Sequence, residues 1–197
     1  YLSSSANHIF DITWGYDETS VLSSSASTQN SKKINMYNQM AQVLLGYTSS
    51  TTDGIRKFEN DLQLDGSGVM KSGVFLSFSR LLTKDQIKKG SFSIALGTGS
   101  WASPFAGAGA AGSTTITLQD VSASSATGGG TSTADGGAYG VLYDTTGSLS
   151  DSGLGVVFYQ AGIVFITSSV FLNSTKDFSI SQPGGANMRP SVALTAS

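Results

Sequence analysis

Two short runs in the last third of the chain constrain its fold more than any other feature. Val156-Val157-Phe158 and Ile163-Val164-Phe165-Ile166 carry apolar side chains at consecutive positions. Successive strand residues point to opposite faces, so such runs call for burial on both sides. Ala161-Gly162 joins them tightly, which makes 154–160 and 163–172 neighbouring strands, with 138–143 as a third before them. Phe158, Tyr159 and Phe165 read as core.

Upstream, the pattern changes from segment to segment. His8, Phe10, Ile12 and Trp14 alternate with Ile9, Asp11, Thr13 and Gly15, as in a strand with one face covered. A helix follows over 31–45. Ser31 serves as N-cap, and Ile34, Met36, Tyr37, Met40, Ala41, Val43, Leu44 and Leu45 recur at helical spacing. Gly46 suits the C′ position. Residues 47–72 are polar, with turns at Asp53-Gly54 and Asp65-Gly66. Alternation predicts strands over 73–82, 91–96 and 114–121. Between the first two, Thr83 and Gln86 form a capping box for a short helix at about 84–89, closed by Gly90, with Lys88 and Lys89 in its last turn.

Residues 101–113 form a Gly/Ala/Ser loop that holds Trp101, Pro104 and Phe105. Residues 122–137 contain Gly128, Gly129 and Gly130 in tandem and no large side chain, so they read as a long exposed loop or an arm that orders on contact. Residues 178–197 give one short strand and a Pro/Gly-punctuated tail. The expected fold is mainly β (α+β): antiparallel, sandwich-like sheets with one substantial helix, one short helix and long Gly/Ser-rich loops. It divides into a mixed α+β part (1–100), a loop or arm with one strand (101–137) and an apolar β-rich part (138–197), forming a single folded unit.

Composition then narrows the chemistry. Charged residues are 12% of the 197, about half the usual share, while 34 Ser, 19 Thr and 24 Gly dominate. The net charge of −2 attracts neither nucleic acid nor an anionic membrane. No apolar run approaches the roughly 20 residues that span a bilayer. With no cysteine there are no disulfides, thiolate nucleophiles or cysteine-held metals. His8 is the one histidine, which excludes a multi-histidine metal centre within the chain. The chain opens on Tyr1, which suggests a processed product or a piece of something longer.

Catalytic motifs do not rise above this background. Gly107, Gly109 and Gly112 match GxGxxG but precede a strand-like run rather than a helix, so no pyrophosphate would meet a helix N-terminus. His8 stands on a strand without a GxSxG elbow, which favours a packing role. Asp17-Glu18 and Asp61/Asp65 read as turn and surface acids, not as a glycosidase pair. Asp53, Asp61 and Asp65 lack the EF-hand spacing with its closing Glu. Lys32, Lys33, Arg56, Lys57, Arg80, Lys84, Lys88 and Lys89 are interleaved with acids and read as solvated faces or interface ion pairs. Neither an enzyme nor a cofactor site is expected.

Three stretches carry a resemblance. They are Lys33-Ile34-Asn35-Met36-Tyr37-Asn38-Gln39-Met40-Ala41-Gln42-Val43-Leu44-Leu45-Gly46-Tyr47, then Phe75-Leu76-Ser77-Phe78-Ser79-Arg80-Leu81-Leu82-Thr83-Lys84-Asp85-Gln86-Ile87-Lys88-Lys89-Gly90-Ser91-Phe92, and finally Gly140-Val141-Leu142-Tyr143-Asp144 with 155–167. Together, across about 8–170, the sequence resembles virion structural proteins of large contractile-tailed bacteriophages. The resemblance implies a tail or baseplate component located in the virion, without enzymatic residues, whose partners are other virion proteins and copies of itself. Low charge fits this role, because it lowers the desolvation cost of wide interfaces. Trp101, Pro104, Phe105, Gly128, Gly129 and Gly130 are the expected interface residues, and strands of another subunit would close the sheet edges. Two other roles stay open: a receptor- or glycan-binding module of a tail tip or fibre, with Trp14, Trp101 and Tyr139 stacking on sugars, and a capsid-surface or neck protein.

Overall fold

The two apolar runs lie side by side near the middle of one antiparallel sheet. The computed structural model describes residues 9–23, 28–49, 53–79, 85–98, 114–124, 131–145 and 152–171. Its strands are β1 (Phe10–Tyr16), β2 (Ser72–Phe78), β3 (Ser93–Thr98), β4 (Thr114–Gln119), β5 (Thr131–Ala134), β6 (Gly137–Asp144), β7 (Gly155–Phe158) and β8 (Ile163–Thr167). One helix, α1 (Thr28–Leu45), and single 3-10 turns at Val21–Ser23, Val121–Ser124 and Ser168–Phe171 complete the set. The strand order is β1-β2-β8-β7-β6-β4-β3, with β5 paired to β6. The mainly β, antiparallel class is as expected, and the strands form one half-barrel sheet.

Both faces of the central strands are buried, and each has its own cover. On one face Phe75, Phe165, Val156, Phe158, Tyr139 and Val141 meet Tyr37, Ala41, Leu44 and Leu45 of α1. Ile55, Phe58 and Met70, from the connection between α1 and β2, complete that core. On the other face Val74, Leu76, Val157, Val164, Ile166 and Leu142 pack with Ile116 and Leu118 of β4. Ile94 and Leu96 of β3 and Phe92 join this second core, so the sheet curls over its own inner face. Burial of these side chains is the main stabilising term, at about 25 cal/mol per Å² of apolar area.

α1 ends as its sequence dictates. Gly46 has φ of 78°, and its N–H bonds back to the Ala41 and Gln42 carbonyls at 3.2 and 3.1 Å. The other end differs from expectation: the helix begins at Thr28, which places Ser31 inside it rather than at its cap. Glycine also permits the contact of α1 with β1. A Cβ on Gly15 would sit 2.9 Å from both the Lys33 carbonyl oxygen and the Tyr37 nitrogen, so the helix backbone settles directly on the strand.

Three further expectations are corrected. The described residues of the short helix expected at 84–89 are not helical: Asp85–Lys88 is irregular and leads into a turn at Lys89-Gly90. Its N–H groups serve long-range bonds instead, Ile87 to the Tyr159 carbonyl at 2.9 Å and Gly90 to Asp120 Oδ2 at 2.8 Å. So short a helix closes too few internal bonds to offset its nucleation. The segment expected as polar turns, 47–72, supplies Ile55, Phe58 and Met70 to the core. Within 122–137, Thr131–Ala134 is not loop but pairs with β6 from Thr131↔Gly140 to Ala134↔Gly137. Small residues suffice there, because the backbone ladder and not side-chain bulk holds β5.

Phe58 is fully buried and touches rings on every side. It stacks on Phe165 at 4.5 Å and 19°, and meets Tyr37, Phe75 and Phe158 at 5.4, 5.5 and 6.2 Å. Replacing Phe58 by Ala should cost about 4 kcal/mol, the toll of a strand-core residue although no strand carries it. Urea denaturation of the two proteins measures this; a loss below about 1 kcal/mol would show that the connection does not close the core.

Candidate assembly edge

Among the described strands, β1 at the end of the sheet is where large apolar side chains lie outside. It pairs with β2 from Phe10↔Phe78 to Tyr16↔Ser72. The Ile9 carbonyl accepts from the Ser79 N–H at 3.0 Å, and the Asp17 N–H donates to the Lys71 carbonyl at 2.7 Å. In an antiparallel ladder the bonded residues alternate, so odd-numbered residues 9–17 turn their main-chain groups to β2. Even-numbered Phe10, Ile12, Trp14 and Tyr16 turn theirs outward. No described strand pairs with β1 on that side.

Side chains make the two ends of this edge different. At Trp14–Tyr16, α1 covers it: the Lys33 ammonium lies 4.7 Å from the Trp14 ring centre, and the Tyr16 hydroxyl donates to Asn30 Oδ1 at 2.6 Å. Partial burial lowers the Lys33 pKa. At the other end Ile9, Phe10 and Ile12 are 57%, 42% and 47% exposed. Phe10 leans on Phe78 at 5.8 Å, and Phe78 meets Phe92 edge-on at 6.0 Å, so a row of rings runs from the open edge into the second core. The expectation of a strand with one face covered therefore holds only where α1 and the curled sheet reach it. Among the described residues the other large exposed apolar side chains, Val21, Val43, Tyr47 and Val121, lie outside the sheet's strands.

Buried charges brace the molecule behind this edge. Asp17 follows β1 directly, and its Oδ2 lies 2.8 Å from Lys57 Nζ, which also reaches Asp53 Oδ2 at 2.6 Å. Its Oδ1 accepts from the Thr19 amide and hydroxyl at 2.9 and 2.6 Å. Burial alone would raise the Asp17 pKa, but the bonds from Lys57 and Thr19 outweigh it and leave it below the ordinary carboxylate value. Asp17 is thus a buried ion-pair member and not a surface acid, because Lys57 supplies the compensating charge. Asp61 and Asp65 do cap turns, accepting from the Gln63 and Ser67 amides.

Two more carboxylates act as internal ties. Glu59 accepts from the Asp65 and Gly66 amides at 3.0 and 2.8 Å, and burial raises its pKa. Asp120 accepts from the Gly90 and Phe92 amides and from the Tyr159 hydroxyl, at 2.8, 2.9 and 2.9 Å. Burial and that bond raise the Tyr159 pKa. Both oxygens of each carboxylate accept from protein donors. Among the described residues, no group of three or more acidic or histidine side chains forms a metal-ligand set, and no helix is long and apolar enough to cross a membrane.

The residues expected at an interface are not among those described. Trp101, Pro104, Phe105, Gly128, Gly129 and Gly130 lie outside the described residues, as do His8, Gly107, Gly109 and Gly112. Of the aromatics considered for sugar stacking, Tyr139 is buried, Trp14 is half-buried beneath Lys33, and Trp101 is outside the described residues. Comparison of the chain with protein families, curated proteins and solved structures returned no match.

Removing Lys57 tests the bracing. Lys57→Met leaves Asp17 buried beside Asp53 without a counter-charge and should destabilise by about 3 kcal/mol at pH 7. Because Asp17 is held low, the stability it adds is present above the unfolded value near pH 4 and fades as pH falls through the folded value. The deficit of Lys57→Met should therefore shrink below about pH 4. Denaturation curves at pH 7 and pH 3 check this; an unchanged deficit would assign the loss to packing.

Proposed function

We propose that this chain is a structural subunit of a bacteriophage particle, a tail or baseplate component that assembles with other virion proteins and with copies of itself. The role is non-enzymatic and needs no cofactor, nucleic acid or membrane. The observation that carries it is the open end of β1, where three large apolar side chains flank outward-pointing main-chain groups on a fold whose central strands are buried on both faces. An edge of this kind is a ready template for a strand from a neighbour.

Composition supports the same reading. A surface poor in charge is cheap to desolvate over a wide area, which suits a part that works inside an assembly. The virion component of the proposal is supported by the resemblance carried at 33–47, 75–92, 140–144 and 155–167. The sugar-binding alternative draws little from the described aromatics, since Tyr139 is closed into the first core.

Immunogold electron microscopy of particles purified from the source culture, with antibody raised against this chain, tests the proposal. Label on tails or baseplates is the expected result. Label on heads or necks moves the subunit to the capsid surface or neck. Absence of the chain from purified particles, checked by peptide mass spectrometry, overturns the reading.

The edge itself gives a second test. Ile12→Lys puts a charge on an exposed position and should change the stability of the isolated chain by less than about 0.5 kcal/mol. The same variant should fail to enter particles when supplied in place of the natural chain. Normal incorporation would remove β1 from the assembly contact.

A further inference from the structure

We infer that Glu59 is a proton-governed latch on the loop 60–68: the loop closes over its carboxyl group while that group is protonated and loosens when it ionises. The inference stands apart from the assembly reading. A short neck carries the loop. The Met70 N–H donates to the Phe58 carbonyl at 2.7 Å, the Asn60 N–H donates to the Gly68 carbonyl at 3.0 Å, and Glu59 bridges Val69. Glu59 reaches from this neck into the loop, where its Oε2 accepts from the Asp65 N–H and its Oε1 from the Gly66 N–H. Residues 65–68 are exposed, whereas Glu59 itself is only 5% exposed. The turn that the carboxyl group holds is thus the cover that keeps water from it. Opening the loop and rehydrating Glu59 are one event.

The surroundings of Glu59 oppose its charge. Among the described residues no Lys or Arg pairs with it, and Lys57, two residues earlier, is engaged by Asp17 and Asp53. The titratable groups that face it are Asp61 and Asp65 of the loop, Tyr37 of α1 and Tyr139 of β6. Arg56 acts on Tyr139, but its Nε donates to the Tyr47 carbonyl at 3.0 Å. Burial and the two aspartates outweigh the two amide bonds, so the Glu59 pKa lies above its ordinary value near 4.5. The closed loop therefore holds the proton more firmly than the open one. It is favoured at acid pH and loses ground as pH rises through the ordinary value and on through the raised one.

Backbone strain readies the loop to open. Leu64 is the one described non-glycine residue with positive φ, at 54°, a conformation that a bulky L-residue adopts only under constraint. Leu62 and Leu64 rest on the first core but are only partly buried. Opening relieves the strain and gives up only these partial contacts, so one proton suffices to shift the balance.

Amide hydrogen exchange of the full chain, followed by NMR and corrected for the intrinsic pH dependence of exchange, tests the latch. Protection of the Asp65 and Gly66 amides should fall about threefold or more between about pH 5 and pH 8, while that of Asn60 and Met70 in the neck stays level. Glu59→Gln, which keeps an acceptor and cannot ionise, should abolish the fall. Asp61→Asn combined with Asp65→Asn retains acceptors for the two turn bonds, removes the facing charges and should reduce the fall. Protection that is flat or rises with pH, or an equal fall in Glu59→Gln, overturns the inference. A parallel fall at Asn60 and Met70 overturns it as well, because the whole connection and not the loop would then be opening.

Discussion

The ring of Phe58, stacked on Phe165, is the contact on which the rest of the molecule leans. β2, β7 and β8 are apolar on both sides, and α1 alone does not cover the first of those sides. The remainder is filled from the connection between α1 and β2, whose described residues form isolated bridges and no strand. Tyr37 fastens that connection twice, its hydroxyl donating to the Met70 carbonyl at 2.9 Å and accepting from the Phe58 N–H at 3.3 Å. The helix therefore does more than shield the sheet. It holds in place the loop that completes the shield, while Lys57 between Asp17 and Asp53 ties the same loop to the end of β1.

The second face is closed by the sheet itself. β4 and β3 curl over Val74, Leu76 and Ile166, and the Asp120 carboxylate locks the curl by gathering amides from before β3 and the hydroxyl of Tyr159. Both solutions act on the middle of the sheet. β1, at the end of the strand order, is covered among the described residues from Trp14 onward, by α1 and by the second core. An exposed apolar edge is the geometric remainder of a fold whose covers lie over the centre, and it is this remainder that the proposed assembly role would use.

Much of the fold was legible in residue order. Val156-Val157-Phe158 and Ile163-Val164-Phe165-Ile166 announce two-sided burial because alternation fails in them, and all but Ile163 are fully buried. Gly46 marks the end of α1 because a positive φ follows the last apolar turn. The misses share one cause, that partners distant in sequence decide the outcome. Phe58 lies in a stretch whose apolar residues follow no helical or strand period, and nothing local tells that four rings wait for it. Lys57 and Asp17 are forty residues apart, so their pairing leaves no spacing to read. Thr83 and Gln86 have the form of a helix start, but Asp120 and Tyr159 claim the amides that a helix would need. At the edge, the adjacency of Ile9 and Phe10 with Ile12 was a visible signal of apolar excess; that the excess faces outward follows only from where β1 sits in the sheet.

Hydrogen exchange at single amides reads the central claim, that β1 is bonded on one side and open on the other until assembly. In the isolated chain the Asp11 and Thr13 amides should be protected through β2, while those of Phe10 and Ile12 exchange freely, and in assembled material all four should be protected. Protection of Phe10 and Ile12 in the isolated chain equal to that of Asp11, or free exchange of both in the assembly, would contradict it.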